Sequence, residues 1–272
     1  MTCKIMGVLN VTPDSFYDGG RYLDHDLAIK RGMEMVAEGA DIIDIGGESS
    51  RPGAEGVPAD EECRRILPVV AALAGAVRVS VDTTKPEVAR AAVVEGATLI
   101  NDVASSLSFL AAELGVGIVL MHMLGTPQTM QHAPHYDDVV EEVTSYLGDA
   151  ADQAFALGVE EVYVDPGIGF GKRLGDNVAL LRALLSLVDH GVPVMVGTSR
   201  KSFLATLSKE RGAPSLGPEE RFEGSLATAV WSMANGAAMV RVHDVGATAM
   251  AAALLGDSSA AGIDETRLGS VR

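Results

Sequence analysis

The sequence predicts an α/β protein built as a single (β/α)8 TIM barrel, and three observations predict it. A punctuation mark recurs along the chain: a helical stretch, a Gly, a small or β-branched residue, then a short apolar run that ends in something polar. Those runs are rich in β-branched residues and almost continuously apolar, as strands buried on both faces of a parallel sheet must be. Strand-type and helix-type segments alternate about eight times over roughly 250 residues, the size of such a barrel. An open doubly wound sheet would carry about five to seven strands and a Gly-rich first turn, and MGVLNVTPDSF contains no such turn.

The elements follow in order. KIMGVLN (4–10) is the first strand, and Leu23 to Ala37 has apolar residues three or four apart, a helix. EGADIIDIGGES (38–49) ends that helix at Gly39, since a left-handed residue closes a helix and Gly adopts it at low cost, and continues into the strand IIDI. Helical spacing returns from Ala59 to Leu73 and from Lys85 to Val94, on either side of the strand VRVSVD (77–82). EGATLIND (95–102) and LGVGIVLMH (114–122) give two more strands, and Tyr136 to Ala156 a long helix. LGVEEVYVDPG (157–167), HGVPVMVGTS (190–199) and NGAAMVRVHD (235–244) supply the last three strands. Helices are expected from Asn177 to Val188, Glu219 to Ala234 and Val245 to Leu255. The barrel domain is placed at 1–257. The tail 258–272, small, polar and without a core face, is expected to fray.

The 272 residues carry a formal net charge of −16, 47% hydrophobic residues and 21% charged ones, too apolar for a disordered chain. An acidic balance along the whole chain argues against nucleic acid or an anionic membrane as partner, so an anionic ligand needs a local cationic pocket. Cys3 and Cys63 stand in no metal-type spacing and suit a reducing compartment. The longest uncharged apolar stretch, Ile66 to Val77, has 12 residues against the roughly 18 needed to span a bilayer. The start lacks the long apolar segment of a secretory signal. A soluble cytoplasmic protein is expected.

In such a barrel the active site lies where strands run into the following loops. Those positions hold Asn10, Glu48 with Ser50 and Arg51, Asp82, Asn101, Met121 with His122, Asp165, Ser199 with Lys201, and Arg241 with His243. Any one of them has a plain structural explanation: a strand-end Asp often caps the next helix, and His122 reads as a satisfied loop histidine. Capping does not explain why so many converge on one mouth. Asp, Asn and Asp suit a flat heterocycle with several N–H donors, since a carboxylate binds such an edge through two parallel hydrogen bonds. Arg51, Lys201, Arg241 and His243 supply donors suited to phosphate. The site reads as bipartite. GIGFGKR (167–173) is not a phosphate loop, because Pro166 and Arg173 stand where Gly and Ser or Thr are required. Ser199 lies in no nucleophile elbow, the spacing of His122, His132 and His135 is not diagnostic of a metal, and Met33, Met35 and Met195 read as core.

Eight blocks together resemble the dihydropteroate synthase family: MGVLNVTPDSF-DGG (6–20), IGGESSRPGA (45–54), VSVDTTKPEVA (79–89), NDV (101–103), LMHMLGTPQTMQHAPHYDDV (120–139), DPGIGFGK (165–172), GTSRKSFL (197–204) and RVHDV (241–245). The resemblance implies a barrel enzyme of folate biosynthesis, usually a homodimer. It joins 6-hydroxymethyl-7,8-dihydropterin diphosphate to 4-aminobenzoate with Mg²⁺, releases diphosphate, and is either a sulfonamide target or a sulfonamide-insensitive variant of the same enzyme. Position by position, it assigns Asp82, Asn101, Met121, Asp165 and Lys201 to the pterin. Asn10, Ser50, Arg241 and His243 fall to the diphosphate, with Asn10 also reaching the magnesium. Ser50, Arg51, Pro52, Phe170, Lys201 and Ser202 fall to the aminobenzoate, Asp14 to a mobile first loop and Ser50 to Pro52 to a mobile second one. Asp82, Asp165, Lys201, Arg51 and Asp14 would carry catalysis. Where many members read E-S-T-R-P-G, this chain has Ser50 in place of Thr, which bears on affinity for the arene and its sulfonamide mimics. The alternatives are a methyltetrahydrofolate-binding methyltransferase barrel, which needs no diphosphate pocket, and a catalytically silent pterin-binding paralogue.

Overall fold

A computed structural model describes residues 3–12, 24–48, 56–126, 128–130, 132–212, 214 and 216–256. Asp14, Ser50, Arg51, Pro52 and the tail 258–272 lie outside the described residues. Eight parallel strands form the sheet: β1 (Lys4–Asn10), β2 (Ile42–Gly46), β3 (Arg78–Asp82), β4 (Leu99–Asp102), β5 (Gly117–Met121), β6 (Val162–Asp165), β7 (Met195–Val196) and β8 (Met239–Val242). Their order, β6-β5-β4-β3-β2-β1-β8-β7, wraps into a barrel. β6 and β7 meet through a single bridge, Val164 to Val194, with Val164 N–H donating to Pro193 O.

Helices alternate with the strands: α1 (His25–Ala37), α2 (Ala59–Leu73), α3 (Pro86–Val94), α4 (Ser108–Leu114), α5 (Val139–Ala156), α6 (Leu174–Arg182), α7 (Leu184–Val188), α8 (Ser202–Glu210), α9 (Phe222–Ala234) and α10 (Val245–Leu254). A 3-10 turn, Pro218–Arg221, leads into α9. The recurring glycines do what their position predicts: Gly39 and Gly96, for example, follow α1 and α3 at φ 104° and 110°. Two expectations need correction. The stretch expected as one helix from Asn177 to Val188 is two helices that meet at Ala183. Met33, expected in the core, faces outward and is 44% exposed.

Strand alternation divides the interior in two. Ile5, Leu9, Ile43, Ile45, Val79, Val81, Ile100, Ile118 and Leu120 pack outward against the helices. Met6, Ile42, Leu99, Val119, Tyr163, Met195 and Met239 fill the barrel itself. Below that plug, Arg78 forks onto Glu161 at 2.7 and 2.5 Å, and Lys4 Nζ and Glu161 share the Tyr163 hydroxyl, each at 2.9 Å. The period of two then puts Asn10, Asp44, Asp82, Asn101, Met121, Asp165 and Arg241 on the same inner face, above the plug. That is why the mouth is polar although the strands read as apolar.

Candidate active site

Arg241 on β8 is the hub of one half of the site. Its Nε donates to Asp44 Oδ2 on β2 at 2.6 Å and its Nη2 to Asp82 Oδ2 on β3 at 2.7 Å. Asn101 on β4 donates from Nδ2 to the same Asp44 oxygen at 2.9 Å. A carboxylate only accepts, so Asp44 dictates which way the Asn101 amide lies. The remaining oxygens, Asp44 Oδ1 and Asn101 Oδ1, are buried without a partner. A buried acceptor left unmet costs about 1–3 kcal/mol, and donors on a bound heterocycle would offset it. Burial pushes the Asp82 carboxyl up to about 7, against the pull of Arg241 and with the help of Asp44.

The second cluster faces it from β6 and β7. Asp165 accepts from Gly167 N–H at 2.7 Å. Burial raises its pKa, and the Lys201 ammonium opposes the shift. Lys201 donates to Ile168 O at 2.6 Å and lies 4.6 Å from the centre of the Phe170 ring. Burial lowers the ammonium to about 8, Asp165 holding it up and Arg241 pushing it down. Gly197 is where the two clusters meet: a Cβ there would stand 3.6 Å from Arg241 Cβ, 3.7 Å from Lys201 Nζ and 3.8 Å from Asp165 Oδ2. The missing side chain leaves these groups facing one small space.

A cleft of about 290 Å³ opens beside this cluster, with Asp82, Met121, Val103, Lys85 and Glu48 on its wall. Lys85 bridges Glu48 at 2.5 Å and buried Glu62 at 2.6 Å. Where β8 ends, His243 Nδ1 lies 2.9 Å from Ser199 Oγ, which also accepts from His243 N–H at 3.2 Å. Asn10 ends the strand paired with β8 and is half-buried. Ser202 is exposed in the first turn of α8, one residue from Lys201.

The structure therefore brings Asp82, Asn101, Asp165, Lys201 and Arg241 together, with Met121 on the adjoining wall. Arg241, expected at the diphosphate, gives two of its three nitrogens to the carboxylates of Asp44 and Asp82, which leaves Nη1 outside these pairs. Asp44 is the residue that sequence reasoning missed. Its signal was present: a carboxylate in mid-strand within an otherwise apolar IIDI run. His122 is satisfied as a loop histidine, beside Lys172 Nζ at 2.9 Å and edge-on to Tyr146.

Residues 6–243 match the family described as pterin binding enzyme. Dihydropteroate synthase of Escherichia coli K12 is 46% identical over 249 residues, 89% of this chain and 86% of that protein. The structure of Xanthomonas albilineans dihydropteroate synthase with 4-aminobenzoic acid superposes with a TM-score of 0.85 at 43% identity, over 99% of this chain and 94% of that one. The same enzyme in complex with 7,8-dihydropteroate gives 0.82 at 41% identity, over 99% and 95%. Fold, pocket chemistry and likeness over nearly the whole length agree, and the chain belongs to the pterin-binding enzymes, within their dihydropteroate synthase family.

Proposed function

We propose that the chain joins 6-hydroxymethyl-7,8-dihydropterin diphosphate to 4-aminobenzoate, forming a C–N bond to the pterin methylene as its C–O bond to diphosphate breaks. The observation that carries this reading is the set of buried acceptors, Asp44 Oδ1, Asn101 Oδ1 and the two oxygens of Asp165, around a cationic Arg241 and Lys201. Asp165 and Asn101 take the N–H donors of the pterin, and Met121 packs on the ring. Positive charge developing on the pterin as diphosphate leaves is offset by Asp82 and Asp165. The arylamine is neutral near pH 7 and already nucleophilic, so no strong base is needed. Phe170 and Lys201, with Ser202 at the rim, meet the aminobenzoate. The assignments of Ser50, Arg51, Pro52 and Asp14 rest on the family pattern.

His243 and Arg241 Nη1 would hold the diphosphate, with Asn10 beside them. The fit for Mg²⁺ follows from the donors: among the described residues no three acidic, His or Cys side chains cluster as a metal cage. A single amide oxygen, that of Asn10, with phosphate oxygens suits a cation bound mainly through its substrate. Once bound, Mg²⁺ would supply charge to the departing diphosphate. A homodimer in the cytoplasm is proposed as the working form. Among the described residues no helix is long and apolar enough to cross a membrane.

Release of diphosphate that requires both substrates tests the activity and separates it from a methyltransferase barrel or a silent pterin binder. Asp165→Asn turns one acceptor into a donor facing a donor. It should cost about 2–4 kcal/mol of pterin affinity, read by calorimetry. An unchanged affinity would remove Asp165 from the pocket.

A further inference from the structure

The Gly-rich turn after β6 ends in a buried lysine whose ammonium is turned inward. Lys172 is 4% exposed, and its three N–H donors meet three acceptors: His122 Nδ1 at 2.9 Å, Phe170 O at 3.1 Å and His122 O at 3.3 Å. An ammonium has three donors and no acceptor, so its bonding is complete. While Lys172 is an ammonium it can only donate, so in that state the contact requires His122 Nδ1 to accept, with the ring proton on Nε2.

The turn is pressed against the end of β5. A Cβ on Gly167, at φ 65°, would meet the backbone oxygen of His122, and one on Gly171, at φ 61°, would stand 2.6 Å from Leu124 O. Tyr136 adds a bond from its hydroxyl to Gly171 O at 2.8 Å, and Asn177 accepts from Gly169 N–H at 2.6 Å. The contents of the turn are functional: Ile168 O accepts from Lys201, and the Phe170 ring lies under it.

We propose that Lys172, with His122 as its acceptor, is a positioning residue that fixes the 166–171 turn on β5 and so sets the grip of Phe170 and Lys201 on the arylamine substrate. The proposal rests on the reading that Phe170 and Lys201 meet the arene.

The test compares His122→Asn with His122→Phe in the full-length enzyme. Asn places its oxygen at the same bond distance from Cβ as His Nδ1 and can accept from Lys172, whereas Phe fills the space and cannot. His122→Phe should raise KM for 4-aminobenzoate at least tenfold and move KM for the pterin diphosphate less than twofold. His122→Asn should bring the first value back to within threefold of the parent. In the unaltered enzyme, ¹⁵N spectra at pH 6 should show His122 as the Nε2–H tautomer, a reading that needs no variant to fold. That pH lies between the His122 value, lowered by burial to about 4, and the Lys172 value, lowered by burial to about 7. An Nδ1–H tautomer, parallel rises in both KM values, or equal effects of Asn and Phe would overturn the proposal. A Phe170→Ala enzyme with unchanged KM for 4-aminobenzoate would instead strike down the arene assignment, and this inference with it.

Discussion

Asp82 shows how burial turns an ordinary carboxylate into a pH-dependent one. Its folded pKa, about 7, stands above the 3.8 of the free side chain, burial being the largest cause. Between those values the folded state holds a proton that the unfolded state has lost. The stabilisation this gives is full below about pH 4 and disappears as pH rises through 7. Asp82→Asn mimics the protonated form, so its gain in Tm over the parent should be smaller at pH 5, where much of the parent's stabilisation remains, than at pH 8, where it is gone. Thermal melts of both proteins at both pH values check this, and an equal Tm difference at the two would refute the assignment. Asp82, Asn101, Asp165, Lys201 and Arg241 could be found from sequence because each stands at or near a strand end, where barrel geometry concentrates chemistry. Asp44 sits two residues further inside, at a position where the pattern rewards apolar side chains. Only the inward turn of its strand shows that it completes the site. The engagement of Arg241 with Asp44 and Asp82 was equally hidden, since it joins residues 197 and 159 positions away in the chain.

At the scale of elements, length accounts for part of what the pattern shows. β1, β5 and α2 are found where their patterns put them. α4 and α8, both beginning Ser-Phe-Leu-Ala, have no counterpart among the expected helices: α4, at seven residues, gives too few turns for a 3.6-residue period to show, whereas α8 is as long as α3, which the pattern does show. Within HGVPVMVGTS the apolar run VPVMV (192–196) predicts a strand of five residues, yet Met195–Val196 alone pair as strand. Pro193 lies in that run and has no N–H to give to a ladder. A second proline has a compensated effect. Pro68 lies inside α2 and leaves the Arg64 carbonyl without its helical donor. His25, the first residue of α1, places Nε2 at 3.1 Å from that oxygen. The proline therefore joins two helices at the cost of one. Pro68→Ala should restore the intrahelical bond and stabilise the protein by about 1–2 kcal/mol, the helix gain less the entropy returned to the unfolded chain. Urea titration reads it, and a loss of stability would mean that the bond to His25 is worth more than the helix repair.

Taken whole, the molecule is a hoop of parallel strands with one weak joint. Seven strand pairs have a register of two or more residues, whereas β6 and β7 share one bridge. Asp165 stands on one lip of that joint, and Gly197 and Lys201 follow the other. A pterin held between them would add cross-links where the backbone supplies few. Hydrogen exchange should therefore slow more at Val164 and its neighbours on pterin binding than at Ile100 in the β3–β4 wall, and uniform slowing would sink the idea. Mass action alone would add about 2.7 kcal/mol of stability at a hundredfold excess over Kd. The joint decides where that gain is felt. A closed hoop has no preferred place to tear, but this one does, and the tear runs through the active site. Occupancy is then also a form of shelter: an enzyme stalled by an inhibitor in the pterin pocket should survive a protease longer than the working enzyme. Cells dosed with such a compound would accumulate the very target it disables.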